Sequence, residues 1–150
     1  MLTKATWMLA LANRNLKLGH YRRELGDGLR FVFRNFPLSE VHPRSEHAAE
    51  IAEAASIHHK FWDMHDMLYA HQDALDDQHL AEYLALLGVP TPVANLALAK
   101  HAYLGRVRED FMSGVRSGVN GTPTFFINGL RHDGSYERNE LLAAIADAER

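Results

Sequence analysis

Along this chain the apolar positions switch between a period of two and a period near 3.6. The switches fall close to glycine, proline or asparagine. Met1 to Leu11 is apolar and includes Thr3, Thr6 and Trp7. Periodicity cannot separate a buried strand from the start of a helix in a run this short. Asn13 or Asn15 is placed to cap a helix continuing to Leu25, and Gly26 suits its left-handed end. Leu29, Phe31 and Phe33 then alternate with Arg30, Val32 and Arg34, which is strand period. Pro37 and Pro43 bracket a loop.

From Arg44 to Gly118 the pattern is helical. Ala48, Ala49, Ile51, Ala52 and Ala55 share one face of a first helix. Phe61, Met64, His65 and Leu68 follow at helical spacing. Asp76 caps a third helix through Leu87, which Gly88 ends. Pro90 and Pro92 open a further helix to about Arg116, interrupted at Gly105 and Gly114. The apolar run Thr124–Ile127 starts after Pro123 and stops at Asn128-Gly129. That dipeptide is a strong hairpin signal, because both turn residues accept positive φ. A proline at a strand mouth cannot donate to the ladder and marks an edge, a strand start or a cis bend. The last helix begins near Glu137, with Leu141, Leu142 and Ile145 inward. The helices over about 44–117 read as an insertion between two halves of a small sheet, within a single α/β domain over 1–150.

Composition narrows the function classes. A length of 150 residues suits one domain with a real core. The net charge of −3 argues against a nucleic-acid footprint, which needs a basic face. No apolar run is long enough to span a bilayer. Lys4, Ala5–Leu11 and Ala10-Leu11-Ala12 only faintly resemble a signal peptide. The expected compartment is therefore the cytoplasm. The sequence has no cysteine, so disulfides, thiolate nucleophiles and thiolate metal sites are excluded for this chain.

The remaining candidate chemistry has ordinary explanations. His58, His59, His65 and His71 cluster on the insertion, with His42 and His47 nearby. His42, Glu46 and Glu50 have i, i+4 spacing, but Pro43 interrupts a helix across them. No metal and no cofactor is expected, and the histidines read as solvated or at the edge of the core. Phe61, Trp62, Met64, Met67 and Tyr69 read as packing, and Arg30 and Arg34 as exposed or ion-paired. Arg106, Arg108, Glu109 and Asp110 read as a solvated helical face.

Two runs resemble the DsbA-like branch of the thioredoxin superfamily, a bacterial oxidoreductase family. One is Gly26-Asp-Gly-Leu-Arg-Phe-Val-Phe-Arg-Asn-Phe-Pro-Leu38, with His42-Pro43 just after. The other runs from Arg108 through Gly121-Thr-Pro-Thr-Phe-Phe-Ile-Asn-Gly129. Between them, Lys60–Tyr69 and His71–Leu75 look like the family's helical insertion. The resemblance covers about 26–145. It implies a thioredoxin-like sheet, a helical lid and a cis bond at Thr122–Pro123. It also implies a substrate-binding loop, Gly121, Thr122, Pro123 and Thr124, that offers backbone groups to an extended peptide or to glutathione.

The departure lies at the amino end. The family places Cys-x-x-Cys at the start of its first helix, where the helix amino terminus stabilises a thiolate. Ungapped counting puts that pair at Met8 and Leu11; a surviving first strand would move it to about Asn13–Leu16. Neither placement holds a thiol, so no catalytic residue is assigned. Without the first strand, its two neighbours would stand roughly 9–10 Å apart, with buried backbone groups unpaired. The favoured repair is a strand from residues 4–11; donation by a partner chain and closure of the sheet are the alternatives.

Three functions follow. The first is a redox-inactive DsbA-like protein that at most binds peptides. The second is an enzyme similar to the glutathione-dependent isomerases, weakened because Ala12–Leu18 has no hydroxyl. The third is an interaction module, a homodimer for example, that docks through an incomplete sheet.

Overall fold

A computed structural model describes residues 3–9, as backbone only, and residues 29–148 with their side chains. The strand β1 (Thr3–Leu9) is followed by β2 (Leu29–Asn35). Five helices come next: α1 (Ser45–Ser56), α2 (Phe61–Ala70), α3 (Asp77–Leu86), α4 (Thr91–Lys100) and α5 (Leu104–Arg116). The hairpin strands β3 (Thr124–Ile127) and β4 (Leu130–His132) and the helix α6 (Arg138–Asp147) complete the described elements.

The sheet order is β2-β1-β3-β4. β1 runs parallel to β2, with Leu9 opposite Asn35, and antiparallel to β3, with Met8 opposite Thr124. The central slot is thus filled by the chain's own residues 3–9, the favoured repair. This overturns the placement of the lost pair at Met8 and Leu11, because Met8 lies inside a strand and not at a helix start. The stretches Asn13–Leu16 and Ala12–Leu18, and the helix expected up to Leu25, fall outside the described residues.

The elements follow from local chemistry. Asp76 caps α3 by accepting the His79 main-chain N–H at 3.2 Å. Pro92 sits in the first turn of α4, where its missing N–H costs nothing. Asn128 and Gly129 take φ of 49° and 86°, the left-handed pair that turns a tight hairpin. The expected single helix from Pro92 to Arg116 is instead two helices. It breaks at His101, which has φ of 49°, while Gly105 and Gly114 stay helical. A left-handed histidine needs a reason. His101 Nδ1 lies 2.9 Å from Oε1 of Glu50, a carboxylate buried in α1.

Two cores form. One lies inside the helical insertion around Ile51, Met64, Leu80 and Leu84. The other packs α6 on the sheet through Phe125, Ile127, Leu141 and Ile145. Aromatic rings join the layers: Phe33 lies 5.3 Å from Phe61 and 5.2 Å from His65, and Phe31 lies 5.1 Å from Trp62. No helix among the described residues is long and apolar enough to cross a membrane.

Candidate functional site

Three strand ends meet at one end of the sheet. The register sets the last residue of β1, Leu9, beside the last residue of β2, Asn35. β3 enters from the opposite direction, so Thr124 stands beside Met8. The loop Gly121–Thr124 therefore sits at the end of the central strand.

The loop is held from both sides. Thr124 Oγ1 donates to the Gly121 carbonyl at 2.7 Å. Arg131, on β4, donates to the Gly118 carbonyl at 2.7 Å and to Asn120 Oδ1 at 3.3 Å. Val119 is buried against Phe36, and the partly buried Leu38 and Phe111 pack on that pair. The Thr122–Pro123 peptide bond is cis. Thr122 Oγ1 is buried with no hydrogen-bond partner. None of the described hydrogen bonds involves the Thr122 main chain. A Cβ added at Gly121 would meet no atom within 4 Å, so space is open there.

Beside this loop, the end of β2 carries a buried polar network. Asp110 is fully buried and accepts from Asn35 N at 3.0 Å and Arg34 Nη1 at 2.9 Å. Arg106 Nη2 lies 3.4 Å from the same carboxylate. Asn35 Nδ2 donates to Glu53 Oε1 at 2.6 Å. Burial pushes the Glu53 carboxyl above its ordinary range, against the opposing Asn35 hydrogen bond, and the neighbouring Asp110 charge adds to the rise. The solvated face expected for Asp110 is thereby corrected. Its neighbours Arg108 and Glu109 are exposed, while Asp110 points into the protein and meets the β2 terminus. The sequence signal that would have found it is its position, three residues after the buried Val107 on the same helical face.

The histidines spread over several separate contacts. His65 is buried and stacks on Tyr69 at 4.5 Å, His71 stacks on Tyr83 at 5.5 Å, and His47 meets Asp77 at 3.0 Å. Among the described residues no three histidine or acidic side chains converge as a metal would require. His42 precedes α1, so it does not share a helix with Glu46 and Glu50.

A family model described as Thioredoxin matches residues 12–147. The chain belongs to the thioredoxin family. Its fold is that of the DsbA-like members. BdbD from Bacillus subtilis superposes with a TM-score of 0.84 at 15% identity, covering 97% of this chain and 86% of that one. The thiol-disulfide exchange protein alpha-DsbA2 from Wolbachia pipientis gives a TM-score of 0.80 at 18% identity, covering 97% and 81%. Higher sequence identity lies elsewhere. The Na(+)/H(+) antiporter NhaA 3 of Salinispora tropica is 43% identical over 120 residues, which are 80% of this chain and 18% of the antiporter. NhaA 1 of Mycobacterium sp. strain KMS is 38% identical over 126 residues, 83% of this chain and 21% of that protein. The chain thus spans about a fifth of the length of these curated relatives. Within the thioredoxin fold, the Gly121–Thr124 loop and the end of β1 occupy neighbouring strand ends, and this chain has no thiol to bring to them.

Proposed function

We propose that this chain is a redox-inactive DsbA-like protein that binds an extended peptide at Gly121–Thr124. Disulfide exchange begins with a thiolate attacking sulfur, and the sequence contains no cysteine. What is left at the loop is main chain and hydroxyl. Thr122 carries the reading. Its Oγ1 is buried without a partner, and its main chain takes part in none of the described hydrogen bonds, directly before a strand. An added strand supplies a donor and an acceptor to such a position, which is how main-chain recognition gains affinity.

Calorimetric titration with extended peptides tests the reading. Binding is expected, and Gly121→Val is expected to weaken it about tenfold or more with an unchanged thermal midpoint, because the new side chain enters open space. Peptides that give no heat with the wild-type chain would overturn the proposal. A parallel glutathione titration separates it from a glutathione-dependent enzyme. Insulin reduction is expected to stay at the buffer rate, and turnover would remove the redox-inactive part.

The curated relatives favour a second reading of the same site. The two described above are named as sodium–proton antiporters, and this chain aligns with about a fifth of each. On that reading the chain is the thioredoxin-fold part of such a transporter, or its companion, and the bound segment belongs to the transporter.

A further inference from the structure

A groove of about 560 Å³ runs between the segment after β2 and helix α5. Its apolar lining includes Leu38, Val41, Val107 and Phe111. Val107 is fully buried and forms floor, whereas Val41 is 69% exposed and forms wall. The groove shares two of its lining residues with the packing beside the loop described above. Leu38 and Phe111 also pack against the buried Val119, two residues before Gly121. Phe111 in turn stacks on Phe36 at 4.5 Å.

The rim is charged, and unevenly. Glu40 and Glu46 face the groove with Arg108. Arg108 Nε lies 3.6 Å from Glu46 Oε1, so those two offset one another. Glu40 makes no ion pair among the described residues. One uncompensated carboxylate beside an apolar trough favours a cation next to an apolar side chain.

We propose that this groove is a second subsite for the segment bound at Gly121–Thr124, and that it takes an apolar residue followed by lysine or arginine. The inference rests on the peptide-binding reading above and adds sequence preference to it. The main chain at the loop supplies register without regard to sequence, and the groove supplies selection. The apolar part of the preference is the larger, because burying a leucine side chain outweighs an exposed ion pair.

The test uses the full chain and fluorescein-labelled extended peptides. Each peptide carries one Leu-Lys pair, stepped a residue at a time along a Ser/Thr background. One register is expected to bind about tenfold tighter than its Ser-Lys counterpart. The same register should prefer Leu-Lys to Leu-Glu by about threefold at low salt, shrinking as salt is raised. Glu40→Lys should reverse the charge preference, and Val41→Ser, at an exposed position, should reduce the leucine preference while the fold is kept. Peptides that bind equally well whatever their sequence, to wild type and to Glu40→Lys, would overturn the subsite and leave the loop reading standing. Absence of binding by every peptide would overturn both.

Discussion

Asp110 and Glu53 are the residues that tie the insertion to the sheet beside the candidate site. Asp110 has no exposed surface, yet it is met by Arg34, Arg106 and the Asn35 N–H. Removal of any member would strand another buried polar group, which is why such clusters persist. Glu53 is less well served, since burial outweighs its hydrogen bond from Asn35 and its long contact with Arg106 at 3.9 Å. Its carboxyl therefore holds a proton more tightly in the folded chain than in the unfolded one. The sign follows directly: the folded state binds more protons in the window between the ordinary carboxyl range and the raised folded value, so stability falls as pH rises through it. Glu53→Gln keeps an acceptor for Asn35 and removes the charge. Urea unfolding from pH 4 to pH 7 should show wild type losing stability relative to Glu53→Gln as pH rises. A flat difference between the two would mean that the carboxylate is not disfavoured by burial. Asp110 leaves a faint trace in the sequence through its helical spacing from Val107, whereas the burial of Glu53 depends on Asn35, 18 positions away, and leaves none.

At the scale of elements, stops and starts were read well wherever the stop is a residue with intrinsic preference. Gly88 and Gly129 have φ of 75° and 86°, which only glycine adopts without strain. Gly129→Ala meets no neighbouring atom, so its cost is backbone alone. It should destabilise the protein by about 1 kcal/mol, measured by the shift in urea midpoint. A neutral result would mean that the hairpin turn relaxes to another type. The break between α4 and α5 follows a different rule. His101 has only a mild intrinsic tendency to turn left-handed, and it does so where its ring reaches the buried Glu50 carboxylate. That contact joins residues 51 positions apart, so local propensity carries no trace of it. Gly105 and Gly114 stay inside α5, because a glycine inside a helix lowers its stability without ending it.

For the whole molecule, the sheet with α6 and the helical insertion form separate cores joined by a narrow aromatic and ionic seam. Phe33 is central to it, with Phe61, Trp62 and His65 around its ring. Phe33→Ala should cost about 3 kcal/mol and separate thermal unfolding into two transitions, followed by tryptophan fluorescence and far-ultraviolet circular dichroism. A single coincident transition would show that the ionic seam couples the cores without the ring. The family is legible in the sequence because its marks are local and ordered: a strand ending in Asn-Phe-Pro, an aromatic helix, and a proline leading into a short strand with an Asn-Gly turn. The lack of a thiolate in this chain is equally legible in composition, since the sequence contains no cysteine. Tertiary structure decided what residues 3–9 do, because a short apolar run is ambiguous until its neighbours offer it a slot between β2 and β3. It also decided which acid is buried and where a helix ends on a histidine. Those outcomes depend on partners distant in sequence, and burial and pairing across such distances leave no local pattern to read.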